Sequence, residues 1–545
     1  MPSSTMAFNV ADLFEHAVDA VPDRTAVICG DRRVTYRELD ERSDRLAHHL
    51  AAAGIGRGDH VGIYSRNSIE ALETMIATYK LRAVSISVNY RYVAEEVRYI
   101  VDNAELKALV HERAYADVLA EVLPHTPGLT EVLVIEDGTD KDFTRYGGTE
   151  YAAALAAQPA GRDFGERSGD DLYILYTGGT TGMPKGVMWR HEDVWRALGG
   201  GINFVTGEYV ADEWELAKNA AAAPEGMVMA PLSPLIHGAA QWAAFMTLNS
   251  GGTLVFVPQF DPHAVWRAVQ RHRVNVLTVA GDAMAGPLLE AYQAGAYEAP
   301  SLFAFSSHAA LFSQALKQQY VQQFPKLFIT DVVGSSESGG TGLAVVTGDS
   351  DHSQGARVRF NAQTTLLDED GKLLPRTPGA VGRMARTGHV PLGYYRDPAK
   401  TATIFVEVAG ERYVVPGDYA RYEADGTVTL LGRGSECINT GGEKVYPEEI
   451  ETALKSHPKV LDALVIGIRD ERFGQGVAAL IQPRTGLTFD LAEVDSHVRT
   501  KVAGYKAPRS YWIVAEVSRQ PSGKANYPAA KKYAADHADA AVSVH

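Results

Sequence analysis

The sequence predicts an α/β fold: a large N-terminal domain of layered sheets and helices, then a small α+β C-terminal domain. Three observations carry this. Strand-like and helix-like segments alternate from Ala26 to Val110, the pattern of helices laid on the faces of a sheet. A run rich in glycine and threonine, from Tyr176 to Gly186, lies between two short apolar, β-prone segments, so a glycine loop joins two strands. Beyond Arg433 the spacing changes to a helix, two strands and a further helix, a unit of about 110 residues and of ordinary domain size.

In chain order, Ala26-Val27-Ile28-Cys29 and Arg33-Val34-Thr35 flank Gly30-Asp31 and read as a hairpin. Thr35 and Glu38 form a capping box, and Leu39, Leu46, Ala47 and Leu50 give a helical stripe that stops at Gly54. Strands are expected at Val61–Tyr64, Ala83–Ile86 and Ala108–Val110, and helices at Ser68–Tyr79 and Val93–Val101. Phe204 to Glu225 is polar and Ala-rich; a lid or insertion near a substrate entrance is one reading, and a solvated surface excursion is favoured over it. Pro447-Glu448-Glu449 starts a helix with proline near N1 and acids in the first turn. Val460–Ile468 and Gly476–Pro483 read as strands, Leu491–Val502 as a helix, and the tail from Ala534 as frayed. The domain boundary is placed at Gly434-Ser435, giving domains 1–434 and 435–545.

Composition narrows the function. With 545 residues, two or more domains are expected. The 46% hydrophobic and 22% charged content is that of a globular protein. A net charge of −15 argues against a nucleic-acid partner. Two distant cysteines, Cys29 and Cys437, make neither a disulfide framework nor a Cys-rich metal site, and fit a reducing compartment. Met1 to Ala11 has no secretory pattern, and no apolar run nears the roughly 20 residues of a membrane span. A cytoplasmic protein is expected, with peripheral lipid contact and oligomeric state left open.

The glycine run carries the chemistry. Its glycines let backbone N–H groups approach an anion without interference from a Cβ. Thr177, Thr180 and Thr181 add hydroxyls and Lys185 a positive charge, a set suited to polyphosphate. The Walker pattern does not fit, because Pro184 stands where its second glycine belongs. A serine-hydrolase elbow at Gly334-Ser335-Ser336 fails as well, since Ser338 occupies the required glycine position. A carboxylate such as Glu337 beside a polyphosphate calls for a hard cation between them.

The eleven positions Tyr176-Thr177-Gly178-Gly179-Thr180-Thr181-Gly182-Met183-Pro184-Lys185-Gly186 resemble the signature loop of the adenylate-forming superfamily. Gly178 stands where that family has serine. Further elements follow in family order across about residues 10 to 530. Val333-Gly334-Ser335-Ser336-Glu337 resembles the Y-G-x-T-E element, with Val333 in place of the aromatic residue. The resemblance implies that Glu337, with Thr180, holds Mg²⁺ and that Ser335 and Ser336 contact the nucleotide. Pro416-Gly417-Asp418 resembles T-G-D, implying that Asp418 binds ribose; Gly432-Arg433 resembles the terminal G-R of the large domain. Ser435 takes the hinge position. Gly441-Gly442-Glu443-Lys444-Val445 begins an element whose glycine loop lines the pantetheine tunnel in the family, and Ser522-Gly523-Lys524 resembles the terminal S-G-K. Lys524 would then bridge the carboxylate and the α-phosphate. His237, in Pro234-Leu235-Ile236-His237-Gly238, matches a gate residue beside the acyl site, and His308 departs from the usual S-G-G-A-P-L.

Taken alone, several of these segments read better as polar turns, strand ends or solvated charges; their order and number turn the balance to function. The resemblance implies a ligase that uses ATP, Mg²⁺ and coenzyme A. An acyl-adenylate forms first, the small domain rotates about Ser435, and CoA displaces AMP. The run from Lys185 to Asp193 looks like that of actinobacterial ligases for fatty acids and steroid side chains. A long-chain or steroid side-chain acid is therefore expected, with an aromatic or medium-chain acid as the alternative, or loading of a carrier protein. Gly238, Ala239 and Ala240, with Gly281, Ala283 and Ala285, are candidate walls for a bulky acyl group.

Overall fold

The computed structural model describes residues 8–178, 183–198, 200–201, 208–308, 312, 314–347, 357–433, 438–445, 447–518 and 526–544. Among these residues the strands form four sheets, with helices between and around them. A five-stranded parallel sheet runs in the order Val84–Ser87, His60–Tyr64, Leu106–Glu112, Glu131–Ile135, Thr149–Glu150. A fifteen-stranded sheet contains the parallel series Thr253–Phe256, Val228–Pro231, Val276–Val279, Ala304–Ser307, Phe328–Ser335. It turns antiparallel at Gly339–Val346 and continues into Arg357–Phe360, Val428–Arg433 and Asp418–Tyr422. Leu172–Gly178 and Pro184–Arg190 pair antiparallel in a third sheet. The C-terminal residues build their own six-stranded mixed sheet. This is the α/β architecture that the sequence predicts, a large N-terminal part with a smaller α+β part.

Local signals act as expected. The Thr35 hydroxyl accepts from the Glu38 N–H and the Glu38 carboxylate reciprocates, starting Tyr36–Ala52; Ser68 caps Ile69–Lys80. Helices Val10–Ala20, Ile69–Lys80 and Gly238–Asn249 share one core with Val27, Ile63 and Tyr173 from three different sheets. Beneath it, the Lys80 ammonium lies 2.8 Å from Glu15 and 2.6 Å from both Asp40 and Asp44, fully buried. Burial works against that charge, but the three carboxylates outweigh it and raise the lysine pKa.

Two sequence expectations are corrected. The Ala-rich excursion carries a helix, Glu215–Ala222, whose Ala217 and Ala220 are buried; residues 204–207 of it lie outside the described residues. The tail is not frayed from Ala534. That residue is buried in the last long helix, Tyr527–Asp536, and Val542–Ser543 adds a strand to the C-terminal sheet. Ala534 and Ala541 pack against the C-terminal sheet, while Ala535, Ala538 and Ala540 are exposed. Among the described residues no helix is long and apolar enough to cross a membrane.

The C-terminal part is tied to the N-terminal part by charged contacts. Lys506 donates to Glu96 at 2.9 Å and to Glu449 at 2.6 Å, all three buried. Arg91 donates to Glu443 at 2.6 Å, and Lys501 to Glu95 at 2.8 Å.

Candidate functional site

A cavity of about 1890 Å³ runs along one face of the parallel strands, from Val276, Ala304 and Phe328 at their starts to Ser335 at the end of its strand, and under the C-terminal part. Thr177 closes the strand Leu172–Gly178 at its rim, paired with Lys185 across the ladder. The hairpin strands are the two that flank the glycine run in the sequence. Gly178 ends the first strand opposite Pro184. Gly179, Thr180, Thr181 and Gly182 lie outside the described residues, and with them the Thr180 half of the expected metal pair.

Lys185 is not a bare charge. Its ammonium pairs with Asp397 and stands 6.0 Å from the centre of the Tyr394 ring. The lysine, first among several causes, holds the Asp397 carboxyl below its ordinary range.

Ser335, Ser336 and Glu337 turn out of the strand Phe328–Ser335 into the cavity wall. Ser335 and Ser338 hydroxyls are 3.1 Å apart, and the Trp189 indole N–H donates to the Ser336 carbonyl at 3.0 Å. The Tyr394 hydroxyl donates to Glu337 Oε1 at 3.0 Å. A carboxylate beside the Ser335 and Ser336 hydroxyls is a set of hard oxygen donors, which fits Mg²⁺ bound alongside phosphate oxygens.

His237 precedes the helix Gly238–Asn249, and its Nε2 lies 3.0 Å from Glu443 Oε1. Burial pushes the Glu443 carboxyl up, but His237 and Arg91 outweigh burial and hold it down at about 2. Gly441 and Gly442 form the turn between Ile438–Thr440 and Glu443–Val445, with φ of +57° and +86°, the left-handed region that favours glycine. Both line the cavity. A Cβ at Gly442 would come 2.9 Å from the Ala280 Cβ, so the turn passes close to the large sheet as a thin ligand arm would require.

Asp418 opens its strand opposite Arg433 on the neighbouring one; neither is among the described residues of the cavity wall. The side chain of Arg433, and Ser435, Ser522, Gly523 and Lys524, lie outside the described residues.

The acyl walls differ from expectation. Gly238 and Ala239 line the cavity, but Ala240 is turned into the core between the sheets and Ala285 into the core behind the strands. Gly281 and Ala285 are not among the described residues of the second wall, and the side chain of Ala283 lies outside the described residues; that wall comes from Ala280 and Met284. Met227, Met229 and Met246 continue it, so four methionines line the space. Sequence reasoning missed Tyr394, Arg91, Asp397 and Lys506. Their partners are 57, 352, 212 and 410 residues away, and no local pattern announces such pairs. Glu443 stood inside the Gly-Gly motif and could have been found there.

Comparison with known proteins gives consistent matches. A family model described as AMP-binding enzyme matches residues 14–395, and one described as AMP-binding enzyme C-terminal domain matches residues 449–524. A 3-oxocholest-4-en-26-oate–CoA ligase of Rhodococcus rhodochrous is 55% identical over 96% of this chain and 96% of its own. A medium/long-chain-fatty-acid–CoA/3-oxocholest-4-en-26-oate–CoA ligase of Mycobacterium tuberculosis is 53% identical over 97% of this chain and 96% of its own. Among solved structures, the amide bond synthetase McbA from Marinactinospora thermotolerans matches the fold with a TM-score of 0.78 at 22% identity, covering 96% of this chain and 99% of that one.

Proposed function

Since the chain belongs to the AMP-binding enzyme family, we propose that it is an ATP-dependent acyl-CoA ligase acting on a steroid side-chain or long-chain fatty acid. It is an AMP-forming acid–thiol ligase that uses ATP, Mg²⁺ and coenzyme A, as its near-full-length relatives are CoA ligases. The observation that carries the choice of acid is the large, mostly apolar cavity, which meets Ser336, Glu337 and the Gly441-Gly442 turn.

In this reading residues 1–434 bind nucleotide and acid, and 435–545 supply Lys524 and the turn that admits the thiol. Ser335, Ser336 and the threonines of the glycine run cradle the phosphates by hydrogen bonds. Glu337, oriented by Tyr394, and Thr180 hold Mg²⁺, which neutralises charge on the phosphates. Lys524 holds the acid's carboxylate against the α-phosphate, in line with the departing pyrophosphate. Asp418 and Arg433 hold the ribose side. For the second step the Gly441-Gly442 turn brings the CoA thiol to the acyl carbon and AMP leaves, with His237 at the gate between acyl space and thiol. ATP and CoA are intracellular substrates, so the reading carries a cytoplasmic location.

The test is release of pyrophosphate and AMP from ATP and Mg²⁺ with a panel of acids, with and without CoA. CoA-dependent AMP release on the bulky apolar acids, lost in Lys524→Ala, is expected. Pyrophosphate release indifferent to CoA would sink the ligase reading in favour of carrier loading. Turnover confined to aromatic or short acids would sink the choice of acid.

A further inference from the structure

Residues 89–96 of the N-terminal part meet the C-terminal part through charges held out of water. Lys506, just past the helix Leu491–Lys501, donates to Glu96 at 2.9 Å and to Glu449 at 2.6 Å. Lys506 is 3% exposed, Glu96 4% and Glu449 8%. The Lys506 ammonium also stands 4.8 Å from the centre of the Tyr92 ring. Around this triad, Asn89 donates to the Tyr505 hydroxyl at 3.3 Å and Arg91 donates to Glu443 at 2.6 Å. Glu96 is fixed from its own side as well. Its second carboxylate oxygen accepts from the Val93 N–H at 3.2 Å, at the start of the helix Ala94–Asn103.

The triad sits at the base of the Gly441-Gly442 turn. Glu449 belongs to the first turn of the helix Pro447–Lys455, which follows the turn's second strand, Glu443–Val445. Glu96 belongs to the N-terminal part, so the lysine joins the two parts at the foot of the arm that reaches Ala280. A buried ion pair adds little net stability, but removing one partner is costly, and its best-attested use is to fix one register of packing. The pair Lys501–Glu95 at the edge is 38% and 58% exposed and contributes little beside it.

We infer that Lys506, Glu96 and Glu449 form a charge clamp that seats the Gly441-Gly442 turn, and are positioning residues for the thioester step alone. The inference rests on the ligase reading above, in which this turn serves the thiol and Lys524 serves the adenylate. The clamp carries two acids for one base. Glu449 is pushed up to about 7 by burial first, with Glu96 adding to it against the pull of Lys506. The other titratable groups around the triad are Tyr92 and Tyr505, whose phenols burial keeps neutral, and Glu443, which His237 and Arg91 hold ionised. Below about pH 7 one proton on the acid pair leaves the clamp neutral; above it a buried negative charge remains, and the seating weakens.

The experiment uses the full chain and reads the two steps apart, by exchange of labelled pyrophosphate into ATP without CoA and by CoA-dependent AMP release. Lys506→Met should lower kcat of CoA-dependent AMP release about tenfold or more, while pyrophosphate exchange keeps most of its rate. Glu96→Gln preserves the helix cap and leaves one acid for one base. Its rate in the CoA step, divided by that of wild type, should rise from about pH 6 to about pH 8, while the same ratio for pyrophosphate exchange stays level. Hydrogen exchange reads the seating without turnover. Amides of residues 441–445 should exchange about tenfold faster in Lys506→Met than in wild type, with the N-terminal sheets unchanged. Melting temperatures check folding, and if Lys506→Met does not fold, the pH ratio of Glu96→Gln decides. Equal loss of both steps, loss of neither, a level CoA-step ratio in Glu96→Gln, or unchanged exchange at 441–445 overturns the inference. Pyrophosphate release by wild type that is indifferent to CoA overturns the ligase reading. Faster exchange at 441–445 would then still uphold the clamp as the seat of the turn, and unchanged exchange would overturn both.

Discussion

Gly442 lies against Ala280 so closely that a Cβ on the glycine would stand 2.9 Å from the Ala280 Cβ. One residue belongs to the C-terminal turn and the other follows the strand Val276–Val279 of the large sheet. Backbone of one part touches side chain of the other, with φ of +86° at the glycine.

Gly442→Ala should therefore impair the thioester-forming step most. The added methyl and the unfavourable φ both displace the turn, and a displacement of about 1 Å can cost about 100-fold in rate. CoA-dependent AMP release should fall by that order, and pyrophosphate release in the absence of CoA by less. Stopped-flow measurement of the two steps separates them.

Tyr394→Phe removes the donor that orients Glu337. The Mg²⁺ concentration for half-maximal pyrophosphate release should rise by about 10-fold or more, as for other partners that orient a metal ligand. Glu337→Gln should raise it further. A magnesium titration of each variant is the check, and an unchanged midpoint in Glu337→Gln would remove that residue from the metal site.

The Glu449 carboxyl is pushed up, by burial first and by Glu96 beside it, against the pull of Lys506, to about 7 from 4.5. A raised folded pKa stabilises at low pH: the contribution is complete below 4.5 and is lost as pH climbs through about 7. Wild type should lose melting temperature between about pH 5 and about pH 8 from this group, and Glu449→Gln should flatten that slope. Differential scanning fluorimetry across pH reads it.

Lys80→Met should destabilise the large part by about 3–5 kcal/mol, because buried Asp44 loses its cation while Glu15 and Asp40 keep only Arg167 and Arg162. Urea unfolding at neutral pH measures the loss. Lowering the pH, which protonates the orphaned carboxylate, should recover part of it.

Much of the fold was legible because its signals are local. The Thr35–Glu38 box, the Ser68 cap and the hairpin around the glycine run each depend on residues a few positions apart. The cavity wall was legible where it is built on a contiguous motif, as at Ser335-Ser336-Glu337 and Gly441-Gly442. What stayed hidden depends on distance along the chain or on side-chain direction. Lys185 reads as a free charge until Asp397, 212 residues on, is folded against it. Ala285 reads as an acyl wall until its helix turns it into the core. Ala534 reads as loose because only the completed C-terminal sheet offers it a surface.

Four of the chain's ten methionines, Met227, Met229, Met246 and Met284, stand on the cavity wall. Thioether chains are unbranched and change rotamer at little cost, so this wall behaves like putty rather than a mould. A surface of that kind takes the imprint of flat rings and bent chains alike and measures neither. It is also open to a single chemical insult: each sulfur that gains an oxygen becomes a polar sulfoxide, and a lining meant for oil turns wettable. Tolerance of differently shaped acids and exposure to oxidants would both follow from the same four sulfur atoms.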